Sequence, residues 1–256
     1  MRLSILGRYS PFPRAGSACP GYLLRSGEEN LLLECGSGVV SRLSEFISPY
    51  ELDHVVISHL HGDHCSDLAV LKYAANYDVS PRARATRRAT DPAREERGRG
   101  ITVYAPGEPA DEFARIPHKD AMRAEAIDES TSLQIGPFHL TFAKTEHPIP
   151  CVAVRVKCEG KTLAYTADTA LCDSVIDLAR GADLLLAEAS LPEGCSSFGG
   201  HMTASEAGEM ALGADVGGLL LTHFWPEADV EAAKHAASSR AHCPVDIAIE
   251  GRSYDI

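Results

Sequence analysis

The chain has no basic excess, no paired-cysteine motif and no long apolar run at its start, and each lack removes a class of function. Across 256 residues the formal net charge is −12. A broad nucleic-acid surface is basic, so this charge argues against one. The opening residues Met1-Arg2-Leu3-Ser4-Ile5-Leu6-Gly7-Arg8 hold too short an apolar stretch for a signal peptide or a membrane helix. They read as a first strand, which points to a cytoplasmic protein without a membrane partner. The eight cysteines (Cys19, Cys35, Cys65, Cys151, Cys158, Cys172, Cys195, Cys243) include no CxxC pair. Without an export signal they are expected as reduced thiols rather than disulfides. Cys65 reads as a small packing residue. Repeats, low-complexity tracts and linkers are also missing, so residues 1–256 are read as a single domain with one sizeable core.

One region reverses the overall charge. Arg82, Arg84, Arg87, Arg88, Arg94, Arg97 and Arg99 face only Asp91, Glu95 and Glu96 in a stretch poor in apolar residues. It reads as a solvated loop with a short helix near 92–97. The alternative is an anion-attracting flap, since the segment follows the helix that the next motif begins.

That motif is His59-Leu60-His61-Gly62-Asp63-His64, three imidazoles and a carboxylate within six residues, straight after the apolar run Val55-Val56-Ile57. The end of a strand is where α/β folds place ligand sites. His59 and His61 alternate by two, so on extended backbone they point the same way and can share one metal ion. Asp63 and His64 follow where the chain turns into a helix, within reach of a second. Imidazole nitrogen and carboxylate oxygen, with a position left for water, suit a zinc-type site.

The remaining pattern alternates strands and helices. Strands are expected at 3–6, 21–26, 31–34 and 55–58, then a helix at 66–76, a strand at 101–105 and a short helix near 110–116. Strands follow at 122–126, 132–135, 138–144, 152–157 and 162–166, then a helix at 173–180 and a strand at 183–188. The chain closes with a helix at 204–212, a strand at 218–222, a helix at 227–237 and a strand at 245–249.

The HxHxDH signature resembles that of the metallo-β-lactamase fold superfamily. The resemblance implies an α/β architecture: an αββα sandwich of two mixed β-sheets flanked by helices. Further ligand candidates stand where expected strands stop: His147 after the run 138–142, Asp168 after 162–165 and His223 after 219–221. By resemblance, His59, His61 and His147 hold a first metal, and Asp63, His64 and His223 a second, with Asp168 bridging. Asp168 alone could also cap a helix before Ala170-Leu171-Cys172. Two divalent ions are implied, zinc being expected and manganese or iron also suited. A bridging hydroxide would be the nucleophile and Asp63 would belong to the catalytic set.

Gly199-Gly200-His201-Met202-Thr203-Ala204 resembles a segment of ribonuclease Z and related phosphodiesterases, in which a histidine before a helix protonates the departing oxygen. Leu186-Ala187-Glu188-Ala189-Ser190 resembles the His-Glu-Ala-Thr segment of that family, with Glu188 at the glutamate and Ala187 where histidine is usual. A His–Glu pair suits proton donation to an alkoxide. Thr203 with Glu206 also reads as a capping box. The family's tRNA-gripping arm lies between the third metal histidine and the bridging aspartate. Here His147 and Asp168 are separated by little more than a hairpin. A small phosphodiester or cyclic nucleotide is therefore expected as substrate, with tRNA disfavoured. In the loop after the first strand, Arg14 or Ser17 is a candidate phosphate contact. The alternatives are a thioesterase or lactonase of the glyoxalase II type, or a ribonuclease Z-like RNA endonuclease. The oligomer is left open, a homodimer included.

Overall fold

The computed structural model describes residues 1–76, 100–195 and 199–256. The arginine-rich segment 82–99 lies outside the described residues. The first half lays down β1 (Arg2–Gly7), β2 (Gly21–Ser26), β3 (Glu29–Leu33), β4 (His54–Val56), β5 (Ile101–Ala105) and β6 (Met122–Ala126). The second lays down β7 (Ser132–Ile135), β8 (Phe138–Lys144), β9 (Val152–Cys158), β10 (Lys161–Tyr165), β11 (Leu184–Glu188), β12 (Leu219–Thr222) and β13 (Val245–Ile247), and β14 (Ser253–Asp255) closes the chain. Among the described residues the α-helices are α1 (Val39–Leu43), α2 (Gly62–Cys65), α3 (Leu68–Asn76), α4 (Ala110–Phe113), α5 (Asp173–Ala179), α6 (Ala204–Gly213) and α7 (Val230–Ser238).

These strands form two seven-stranded sheets, ordered β14-β1-β2-β3-β4-β5-β6 and β13-β12-β11-β10-β9-β8-β7. Each is antiparallel through its hairpins and parallel beyond, from β3 to β6 in one and from β10 to β13 in the other. Alternation dictates the layers. Leu3, Ile5, Leu31 and Leu33 of the first sheet meet Phe138, Leu140, Val154 and Leu186 of the second in an inner core. Leu23, Leu32, Val55 and Val103 point outward onto Val39, Leu43, Leu68 and Leu71. Leu185, Leu219 and Leu221 do the same onto Val175, Ala204, Ala207 and Met210. This is the αββα sandwich of two mixed sheets that the motif implied.

Local differences have local causes. The helix expected over 66–76 is α3, which begins two residues later, after the short α2 ends on Cys65 and Asp67 turns its carboxylate to the Val40 amide at 2.9 Å. Asp168 caps no helix; the helix after it starts at Asp173 with Cys172 in the cap position. The capping box at Thr203 and Glu206 is present and starts α6.

Candidate metal centre

The strand ends aim the site. Past β4 the chain bends at Ser58 and runs on to His61, which occupies the N-cap position of α2 at φ −69° and ψ 147°, with the His59 and His61 rings 4.7 Å apart. His59 and His61 thus share a face, while Asp63 and His64 rise from the first turn of α2. Asp168 follows β10, Glu188 ends β11, His223 follows β12 and His147 lies just past β8. Four of these elements are strands of parallel pairs, whose C-terminal edges form a crevice. Register contributes directly: Glu188 pairs with Thr222, so it lies beside His223. The turns leaving the strands are strained. Glu34, Ala167 and His223 have φ of 62°, 52° and 58°, a conformation that costs a non-glycine residue roughly 1–3 kcal/mol and clusters at working sites.

Seven expected ligand residues converge. His61 Nδ1 lies 2.9 Å from His59 Nε2 and 3.1 Å from His147 Nε2. On the other side His64 Nε2 and His223 Nε2 are 3.0 Å apart, and each is 3.6 Å from Asp63 Oδ2. Asp168 stands between the groups, with Oδ1 3.1 Å from His223 Nε2 and Oδ2 3.4 Å from His64 Nε2 and 3.7 Å from His59 Nε2. Among the described residues five sets bring their ligand atoms close enough to hold a cation: His59–His61–His147, His59–His64–Asp168 and Asp63–His64–His223, and two that include His201, His147–Asp168–His201 and Glu188–His201–His223.

The donor chemistry fits such a cation. His147 Nδ1 faces the carbonyl of Gly200 at 3.3 Å, and a carbonyl only accepts, so the proton sits on Nδ1 and Nε2 is bare. Ser190 Oγ donates to Glu188 Oε2 at 2.5 Å and accepts from His223 Nδ1 at 2.7 Å, which bares His223 Nε2 as well. A bare nitrogen thus faces a second imidazole nitrogen across about 3 Å in each cluster, His147 Nε2 against His61 Nδ1 and His223 Nε2 against His64 Nε2. Asp168 Oδ1 is buried and has no hydrogen-bond partner. Lone pairs and carboxylate charge aimed at shared points repel unless a proton or a metal ion lies between them, and this donor set is one that metal ions take.

Electrostatics agree. Burial, with the imidazole of His64, holds His59 well below the ordinary histidine range against the pull of Asp168. Burial pushes His147 down to about 4, again against Asp168. Neutral imidazole is the form that binds metal. Around His64 burial also disfavours the cation, but Asp168, Glu34 and Asp63 outweigh it and raise the group well above its usual value. Their charge asks for a positive partner, which a proton or a metal ion supplies. Asp168 resists burial through His223, His64 and His59, which hold it well below the carboxylate range.

His201 and Glu188 also meet, Nδ1 lying 3.1 Å from Oε1, and His201 Nδ1 is 3.9 Å from Asp168 Oδ2. Burial lowers His201, but the hydrogen bond and charge of Glu188 prevail and raise it to about 9. Gly200 makes this approach possible, since a Cβ there would stand 2.6 Å from the Glu146 carbonyl oxygen.

Four supporting residues escaped the sequence reading. Glu34, 1% exposed, faces His64 Nδ1 at 3.4 Å and takes the Ser58 amide on both carboxylate oxygens. It ends an expected strand, the same signal that marked the other candidates. Ser190 bridges Glu188 and His223, Cys151 Sγ is 3.6 Å from His59 Nδ1, and Ser10 Oγ donates to Asp63 Oδ2 at 2.8 Å. In the first loop, then, Ser10 reaches the site, whereas Arg14 lies against the Tyr9 hydroxyl. Such outer partners orient ligands and typically matter roughly 10–100-fold.

Close backbone approach fixes α2. A Cβ on Gly36 would fall 1.8 Å from the Asp63 carbonyl oxygen and 2.7 Å from Cys19 Cβ. Gly36→Ala is therefore expected to displace Asp63 and His64, lowering stability by about 1–3 kcal/mol and weakening metal binding. Thermal unfolding with and without added zinc checks this; a variant with unchanged melting and metal affinity would show that α2 moves freely.

The family model of the beta-lactamase superfamily domain matches residues 29–224. The Bacillus subtilis (strain 168) protein named "Probable metallo-hydrolase YhfI" is 35% identical over 230 residues, 88% of this chain and 87% of its own length. The crystal structure of that metallo-beta-lactamase fold protein superposes with a TM-score of 0.89 at 31% identity, covering 99% of this chain and 98% of the other. Ribonuclease Z of Mycobacterium bovis (strain BCG / Pasteur 1173P2) is 27% identical over 250 residues, 88% of this chain and 86% of that one. The short form of human tRNase Z shares the fold, with a TM-score of 0.74 at 20% identity over 100% of this chain and 99% of the other. A superfamily model spanning most of the sequence, a relative at this identity along most of both chains, and imidazoles gathered at the strand ends agree: the chain belongs to the beta-lactamase superfamily, among its metallo-hydrolases.

Proposed function

We propose that this chain is a dinuclear metal-dependent phosphodiesterase acting on a small phosphodiester or cyclic nucleotide, with His201 as proton donor to the leaving oxygen. His59, His61 and His147 would hold one divalent cation and Asp63, His64 and His223 a second, with Asp168 shared, zinc being expected and manganese or iron suited. Bound there, the cations would supply Lewis acidity and a hydrolytic nucleophile at neutral pH.

The observation that carries the reading is the Glu188–His201 pair. Glu188 is fully buried and fixed, its Oε1 accepting the Thr169 amide at 2.7 Å and its Oε2 the Ser190 hydroxyl at 2.5 Å. It takes the Nδ1 proton of His201, and its charge keeps the imidazole protonated at neutral pH. Nε2–H is then free to be given away, from a ring that remains partly exposed. A thiolate leaves without a proton, whereas an alkoxide needs one. A dedicated donor therefore favours oxygen esters over the thioesters of glyoxalase II-type enzymes. The sequence relative named ribonuclease Z, a nuclease, supports phosphodiester chemistry. Between His147 and Asp168 the chain has only the β9–β10 hairpin, and its net charge is −12, which favours a small substrate over tRNA. No helix among the described residues is long and apolar enough to cross a membrane; a cytoplasmic location is part of the proposal.

A substrate panel tests the reading. Bis(p-nitrophenyl) phosphate or a cyclic nucleotide should be hydrolysed with higher kcat/KM than S-lactoylglutathione or an acyl lactone. The reverse order would move the enzyme to the thioesterase or lactonase class.

A further inference from the structure

We propose that the groove beside His61 is the subsite for one ester arm of the substrate and that this arm is a nucleoside; the inference rests on the phosphodiesterase reading above. The groove has a volume of about 670 Å³, within the roughly 300–1,000 Å³ of small-molecule sites. It touches the candidate metal centre from two separate loops. His61 and Gly62, at the start of α2, form one part of the lining, and Ile149, two residues beyond His147, forms another. A diester whose phosphate meets these imidazoles can extend one arm directly into the groove.

The lining says what that arm is. Leu60, Leu68, Ile116 and Ile149 supply aliphatic lining, which suits the face of a flat, weakly polar ring. Two cations stand in the groove. Arg115 is engaged by Glu112 at 2.6 Å. Lys72 forms no ion pair among the described residues, its ammonium lying 5.8 Å from the Tyr73 ring. An ammonium offers three donors and no acceptor, and nucleobases carry ring nitrogens and carbonyl oxygens that accept. A plain alkyl or acyl arm would use the walls and leave Lys72 without an acceptor. A nucleobase uses both.

The test holds the leaving group constant and changes the arm. Adenosine 5′-(p-nitrophenyl phosphate) and methyl p-nitrophenyl phosphate both release p-nitrophenolate, so a difference in KM reports the other arm. The protein should show a KM at least about tenfold lower for the nucleoside ester, the scale of one well-filled pocket. Ala69→Trp, on the exposed side of α3 and lining the groove, should raise that KM toward the methyl-ester value by filling the space. Lys72→Ala, which adds no bulk, is the second variant and should raise the nucleoside-ester KM by a smaller factor. Equal KM for both esters in the unsubstituted protein, or a preference that survives both substitutions, would overturn the subsite. Turnover of S-lactoylglutathione with neither phosphate ester cleaved would overturn the phosphodiesterase reading itself, and the inference with it.

Discussion

Asp168→Ala should lose bound metal and nearly all hydrolytic activity, while the unsubstituted protein carries close to two transition-metal equivalents. Asp168 is the carboxylate that both clusters share: its oxygens lie within 3.7 Å of His59, His64 and His223. The neighbouring acids Glu34, Asp63 and Glu188 are already engaged, Glu188 by the Thr169 amide and the Ser190 hydroxyl. Glu34 spends both oxygens on the Ser58 amide, and Asp63 is held to one side by Ser10. Removing a supporting partner typically costs roughly 10–100-fold in metal affinity or activity, and a group touching both clusters should exceed that range. Asp168→Asn separates charge from shape, since it keeps the volume and one acceptor oxygen but not the negative charge. Both variants should fail together in metal content measured by atomic spectroscopy and in turnover. A fully loaded, fully active Asp168→Ala protein would remove the bridge from the mechanism.

The candidate ligand set was legible because of where polarity interrupts apolar strands. His59, His147, Asp168 and His223 each break an apolar run at its C-terminal end; β10 and β12 lie in the parallel part of one sheet, β8 points the same way through antiparallel β9, and the end of β4 in the other sheet meets them. The runs that bury one face or both were placed well; the expected strands at 21–26, 101–105 and 138–144 have the bounds found for β2, β5 and β8. What escaped was short or nonlocal. α1 spans five residues and starts behind Gly38 at φ 88°, too brief for a periodic signal. β14 is three residues long and exists through pairing with β1 at the opposite end of the chain. Ser190 and Ser10 stood in segments already singled out, but a serine's role is its partner, and partners such as His223 and Asp63 come from distant sequence. The resemblance named Glu188 and His201 as a pair, with Ala187 as the mismatch; the register of β11 against β12 and the close approach of Gly200 to Glu146 are what place them together. The arginine-rich segment at 82–99 falls outside the described residues.

Substituting His201 should separate a proton donor from a structural cap. If Nε2–H protonates the leaving oxygen, His201→Ala should retain metal while losing roughly 10²–10⁴-fold in turnover on a diester with a poor, alkoxide-type leaving group. p-Nitrophenolate departs without a proton, so bis(p-nitrophenyl) phosphate should recover much of that loss. Glu188→Gln gives the complementary result. The carboxylate raises the imidazole to about 9, and the donor form is full below that value and lost as pH rises through it. Without the negative charge the imidazole titrates lower, so the basic limb of kcat on the poor leaving group should move to lower pH. A purely structural role predicts something else. Thr203 and Glu206 already cap α6 through their own hydrogen bonds, so a His201 that only held the loop would lower stability and slow both substrates alike. The deciding quantity is the ratio between the two leaving groups, which partial misfolding leaves unchanged. Equal slowing on both, with no shift of the pH profile in Glu188→Gln, would end the general-acid role and leave the phosphodiesterase proposal resting on the metal site alone.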